Sequence, residues 1–320
     1  MANLIYIFVL RERERAFTYY VRFYVLYSIA EHYLMMINAA HRRIIHLRRM
    51  ICTGSTSSDD KGGVVLILGA GKGIGQHVAQ KFSKNGYHAC VVRRGRGPNR
   101  LLTDDGKMDE FVSKLKDQGG QASVFFADAT KEEDITSLID KIETNVGPIE
   151  CAVYNVGAQM GNIPLEKTSM YKYQLALKMG AVGPFLMAKT LSPYMTKRGR
   201  GTMIFTSATA AFRGNEMQHA HTAAMGARRM LCQSLNHELA PKGVHICHVN
   251  IDDVVDSPET IGIMMPEIYE KVIKARRPAF GVVLPEDVAD TYYHIHTQRP
   301  SAWTFELDLR SWKSKPWFNG

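Results

Sequence analysis

The sequence has little that would build a cross-linked or metal-bound fold. Its five cysteines (Cys52, Cys90, Cys151, Cys232, Cys247) are odd in number, widely spaced, and never stand as C-x-x-C. No disulfide framework or zinc motif follows from that pattern; small buried thiols in a reducing compartment are expected. His245 with His248, and His294 with His296, form close pairs. Neither has a matching carboxylate or third ligand, so both are read as packing or surface histidines. Also missing is an apolar run of the ~20 residues that a membrane span needs. The aromatic stretch 1–34 comes nearest, but Arg11, Arg13, Arg15, Arg22, Glu31 and His32 interrupt it. That leaves at most a segment lying on a membrane surface.

Lysine is absent from residues 1–60, which carry eight arginines and five acids, a net of +3 out of the chain's +9. Residues 35–58, MMINAAHRRIIHLRRMICTGSTSS, hold Arg42, Arg43, Arg48 and Arg49, no acid, and end in serine and threonine. Arginine-rich, serine-containing and acid-poor is the composition of a mitochondrial transit peptide, and a cationic face suits an anionic, energised membrane. The pattern opens at Met35 or Met36, so translation from an internal methionine is expected, with residues 1–34 outside the working protein. The bland alternative is a basic tail. Domain organisation then reads as an N-terminal extension, 1–60, followed by one domain, 61–320. With 45% hydrophobic and 22% charged residues, the chain has globular composition. Some 260 residues suffice for one sizeable core.

From Lys61 onward apolar strand-like runs alternate with amphipathic helical stretches. Strands are expected at 64–68, 88–92, 123–127, 149–154, 201–206 and 244–249. Helices are expected at 75–85, 109–118, 132–145, 171–196 and 223–240. Such alternation predicts an α/β fold: a single doubly wound Rossmann-type domain with a parallel sheet. After the first strand comes Gly69-Ala-Gly-Lys-Gly73-Ile-Gly75. Glycines between a buried strand and a helix let backbone approach a pyrophosphate seated on the helix N-terminus.

With that loop, with Asp128 after the third strand, with Tyr154-Asn155-Val156-Gly157 after the fourth, and with SLNHELAPKGVHICHVN, residues 62–315 resemble the short-chain dehydrogenase/reductase family. The tail SAWTFELDLRSW resembles a bacterial subgroup of these enzymes. The resemblance implies that Gly69, Gly73, Ile74 and Gly75 line a cofactor pyrophosphate, that Asp128 meets the adenine, and that Asn155 and Gly157 flank the adenosine ribose. Leu68 stands where the family usually has Thr, so one bracing hydrogen bond is expected to be lost. Lys72 precedes Gly73, and Arg93 and Arg94 follow the second strand, where an NAD enzyme carries an acid for the ribose 2′-hydroxyl. Cations there suit a 2′-phosphate, so NADP(H) is expected over NAD(H). A solvated basic loop is the alternative.

The family's reaction uses Tyr, a Lys four residues later, a Ser thirteen before the Tyr, and an Asn upstream. Lys⁺ favours phenolate and so lowers a Tyr pKa that is otherwise near 10. None of the 14 tyrosines has Lys four residues on, and no Lys occurs between Lys197 and Lys242. Aligned on CQSLNHELAPKG, the Tyr position is His221, the Lys position Met225, the Ser position Ala208 with Ser207 adjacent, and the Asn position Gly180. Asp252, Asp253 and Asp256 follow the sixth strand, where they would repel a polyphosphate unless turned away.

Two functions follow. One is a mitochondrial NADP(H)-binding pseudoenzyme with a structural, assembly or sensing role. The other is a working reductase with His221 as proton donor, since imidazolium with a pKa near 6.5 needs no lysine, and with Ser207 holding substrate. Binding RNA through the basic surface is a weaker reading, because no nucleic-acid motif is present. Family members usually dimerise through the helices after strands four and five, so 171–196 and 223–240 are expected to make a homodimer or heteromeric contact.

Overall fold

The computed structural model describes residues 62–95, 106–258 and 261–319. The extension 1–60, its targeting segment 35–58 and Cys52 lie outside these residues. The account below is of the unit Lys61–Gly320.

Seven parallel strands form one sheet: β1 (Gly62–Leu68), β2 (Tyr87–Arg93), β3 (Gln121–Phe126), β4 (Ile149–Tyr154), β5 (Gly201–Ala208), β6 (Val244–Ile251) and β7 (Glu306–Leu309), in the order β3-β2-β1-β4-β5-β6-β7. Helices fill the crossovers: α1 (Ile74–Lys84), α2 (Lys107–Asp117), α3 (Glu132–Asn145), α4 (Met170–Leu177), α5 (Gly183–Arg198), α6 (His219–Leu239) and α7 (Pro285–Thr297). Strand alternation divides the core. Val64, Leu66 and Leu68 face α3, α5 and α6, packing with Ile139, Leu191 and Cys232. Val65 and Ile67 face α1, α2 and α7, packing with Phe82, Val112 and Val288. A strand buried on both faces reads as a continuous apolar run, which is why VVLIL was legible. The order reverses direction at β1, between β2 and β4, and this places the carboxyl ends of β1, β4 and β5 around one crevice.

Several elements differ from expectation, α7 among them, since no helix was expected at 285–297. The helix expected at 171–196 is helical throughout but not uniformly α: α4 passes into α5 through a wide π turn at Lys178–Val182. There Gly183 N–H donates to Lys178 O, five residues back, so Met179 O loses its usual donor. Pro184 has no N–H to offer Gly180 O. Two carbonyls are thereby released toward the sheet. Gly180 also lies so close to α6 that a Cβ there would sit 2.5 Å from Ala224 Cβ. The helix expected at 223–240 begins earlier, at His219. β7 was not expected as a strand; Glu306, Asp308 and Leu309 carry little β signal, and pairing with buried β6 decides their conformation.

Candidate functional site

At the crevice, Gly69 leaves β1 with φ +91°, and a Cβ there would meet Asn155 backbone at 2.8 Å. Only glycine fits both constraints. A Cβ on Gly75 would sit 2.6 Å from Gly69 O, so its absence lets α1 close onto the strand end. Gly73 caps α1, whose first turn has no acidic residue to oppose an anion. The loop is braced from two sides. Gly69 N and Ala70 N donate to Val92 O at 3.1 Å, and Asn155 Nδ2 donates to Gly69 O at 3.0 Å. That second bond supplies strand-end bracing although Leu68 carries no hydroxyl.

A cavity of about 410 Å³ runs from this loop across the ends of β4 and β5. Gly69, Gly73, Ile74, Asn155 and Gly157 line it at one end, and Ser207 and His221 further in. Lys72, Gly75, Arg93, Arg94 and Asp128 are not on its wall. Lys72 and Arg94 are exposed, and Arg93 is half-buried. Asp128 accepts from Thr130 N (3.0 Å) and Thr130 Oγ1 (2.8 Å). Burial raises its carboxyl, but those bonds and the Arg94 charge outweigh burial and hold it below the usual range.

His221 is buried at the α6 N-terminus, and its Nδ1 has no hydrogen-bond partner. Burial, and then the Arg228 charge, lower its pKa from 6.5. The imidazolium expected near neutral pH is therefore disfavoured relative to the neutral ring. Met225, one turn on, is buried and offers no cation; its sulfur accepts from Ser207 Oγ at 3.8 Å. Ser207 and Ala208 both line the cavity, fourteen and thirteen residues before His221.

Sequence reasoning missed Arg228. It is buried to 1% exposure and lies on the cavity floor. Nε donates to Gly180 O (3.1 Å), Nη2 to Val156 O (2.9 Å) and Met179 O (3.0 Å), and Nη1 to Thr206 O. Its guanidinium carbon lies 5.0 Å from the Tyr154 ring centroid, and Tyr154 Oη donates to Met179 O at 2.8 Å. Arg228 and Tyr154 thus take the carbonyls that the π turn and Pro184 release. A signal existed: Arg228 lies seven residues after His221, two helical turns along the same face of α6.

The three aspartates after β6 are held by other groups. Asp252 accepts from Trp317 N (3.0 Å) and lies 3.5 Å from Arg310. Asp253 accepts from Val254 N (2.7 Å) and Ser314 Oγ. Asp256 pairs with Arg277 and accepts from Tyr269 Oη. His245 stacks on Trp303, His248 Nδ1 lies 3.0 Å from Glu306, His296 bonds Thr202 and Tyr87, and His294 is exposed. Among the described residues no group of three potential ligands could hold a metal ion.

The sequence profile of the short chain dehydrogenase family matches residues 63–255. An uncharacterized oxidoreductase of Thermotoga maritima is 29% identical over 187 residues, 58% of this chain and 69% of the relative. The 2,3-dihydro-2,3-dihydroxybenzoate dehydrogenase of Bacillus subtilis is 26% identical over 238 residues, 72% and 87% of the two chains. A short-chain dehydrogenase structure from Rhodopseudomonas palustris superposes with TM-score 0.63 at 27% identity, covering 78% of this chain and 99% of its own. A metagenomic short-chain oxidoreductase in complex with NADP shares the fold at TM-score 0.63 and 20% identity, covering 80% and 99%.

Proposed function

The chain belongs to the short-chain dehydrogenase family, and we propose that it is an NADP(H)-binding member without that family's usual proton-transfer apparatus. The observation that carries this reading is the cavity joining the glycine loop to Ser207, His221 and Met225; the family resemblance aligns Met225 and Gly180 with its Lys and Asn. Gly69 and Gly75 are fitted to a close backbone approach, and the α1 N-terminus suits a pyrophosphate. Lys72 and Arg94 would hold a 2′-phosphate, and Asp128 the adenine end. When bound, such a cofactor supplies a hydride donor or acceptor. The NADP complex of a fold relative agrees with this choice of nucleotide.

His221 supports a second reading. A buried imidazole with an unpartnered Nδ1 beside a serine can hydrogen-bond a carbonyl or alcohol and pass a proton. In that case the chain is an NADPH-dependent carbonyl oxidoreductase with a histidine in place of tyrosine. Because the pKa of His221 is lowered, reduction would gain rate toward acid pH, where the imidazolium forms.

Titration of the purified chain with NADPH and NADH tests the first reading. The expected result is NADPH bound at least ~10-fold more tightly, with the preference lost in Lys72→Ala/Arg94→Ala. Equal affinities, or no binding of either, would refute it. Turnover of a carbonyl panel that disappears in His221→Ala would select the second reading.

A structural, assembly or sensing role in mitochondria belongs to the first reading and to the arginine-rich segment 35–58. Tyr171, Phe185 and Met230 on α4, α5 and α6 are exposed apolar side chains, as a contact of these helices with a second copy or another subunit would use. Among the described residues no helix is long and apolar enough to cross a membrane.

A further inference from the structure

Away from the glycine loop, the cavity wall is made by Ala158, Ala208, Met225, Val254, Ile261 and Met265. Neutral hydrogen-bonding residues interrupt it, Gln159, Ser207 and His221 among them. Two charged side chains reach the wall. Arg228 donates to four backbone carbonyls and is buried to 1% exposure, so its donors are committed within the fold. Asp253 accepts only from neutral donors, Val254 N–H and Ser314 O–H, and has no cationic partner among the described residues. An apolar wall with a few neutral polar groups orients a ligand through one oxygen. A carboxylate on that ligand would meet the like charge of Asp253 within an apolar-walled cavity, where like charges repel more strongly than in water. Specificity built on such a repulsive element needs no added attraction to the favoured ligand.

We propose that this part of the cavity takes a neutral, apolar carbonyl compound or alcohol, and that Asp253 turns away ligands bearing a carboxylate. The inference rests on reading the cavity as a shared cofactor and ligand pocket, and it goes beyond that reading in naming the ligand's class. Its test is calorimetric titration of the full chain, with and without saturating NADPH, using 2-decanone and its acidic counterpart 9-oxodecanoate.

The ketone should bind at least ~10-fold more tightly than the keto acid, a factor worth about 1.4 kcal/mol. Asp253→Asn should narrow that ratio at least ~5-fold, through gain by the acid rather than loss by the ketone. Met265→Lys, at a partly exposed position on the cavity wall, should raise the acid's affinity by the same logic and guards against misfolding at position 253. Equal or tighter binding of the acid, a ratio unmoved by both substitutions, or binding of neither probe would overturn the proposal. If NADPH fails to bind while the ketone is still preferred, the cofactor reading falls and the ligand class stands.

Discussion

Arg228 carries a full positive charge to a site with 1% exposure and no carboxylate among its hydrogen-bond partners. Carbonyl dipoles and the Tyr154 ring carry the compensation. Burial pulls its own pKa downward, but a guanidinium starts so high that it stays charged. Replacing it by Met would leave carbonyls of three elements without donors. Arg228→Met should cost about 3 kcal/mol or more of stability by urea unfolding, with Arg228→Lys recovering only part, since an ammonium cannot span the four acceptors. The same change should raise the His221 pKa, because it removes one of the two causes that lower it. Histidine chemical shifts against pH report that directly. A drop in stability with an unmoved His221 would make Arg228 a brace and nothing more. His221 itself was legible from alignment, and the cavity contains it. Its lowered pKa was not, because burial and a cation seven residues away are properties of the folded helix.

At the scale of elements, legibility followed the strength of local signals. Ile149–Tyr154 and Glu132–Asn145 have the bounds expected of them, being a buried β-branched run and a helix stopped by Gly147-Pro148. β7 escaped because its conformation is imposed by β6. The π turn escaped because its cause is distributed: Pro184 removes a donor, Gly180 admits Ala224, and Arg228 accepts the consequence from another helix. This arrangement predicts that Gly180→Ala is costly for a reason unrelated to helix propensity. Alanine normally gains about 1 kcal/mol over glycine in a helix. Here its Cβ would sit 2.5 Å from Ala224 Cβ, against backbone that cannot easily withdraw. A net loss of about 1–3 kcal/mol is expected in thermal or urea unfolding, partly relieved by Ala224→Gly in the double variant. Stabilisation by Gly180→Ala would show that the close approach of α4, α5 and α6 is not what the π turn accommodates.

Across the whole molecule, the doubly wound plan was legible from alternation alone, whereas the electrostatic balance of its interior was not. Among the described residues five histidines, His88, His221, His245, His248 and His296, have lowered pKa values, in each case through burial first, and His248 and His296 are held at about 4. Glu306 opposes the shift at His248 and does not cancel it. A histidine kept neutral in the fold takes up protons more readily when the chain unfolds. Stability is therefore full above pH ~6.5, the unfolded value, and falls as the pH drops from there toward 4. His248 and His296 each withdraw up to about 3 kcal/mol across that interval, a large share of the 5–15 kcal/mol typical of a domain. Asp128, with its lowered carboxyl, weakens the fold further at the acid end. Urea unfolding at pH 8, 6.5, 5.5 and 4.5 should show a plateau followed by a steep decline. His296→Gln should flatten the decline, since glutamine still reaches Thr202 or Tyr87 and has no proton to gain. A profile level from pH 8 to 4.5 would mean that these buried rings accept protons without penalty, which their low exposure and scarcity of anionic partners argue against.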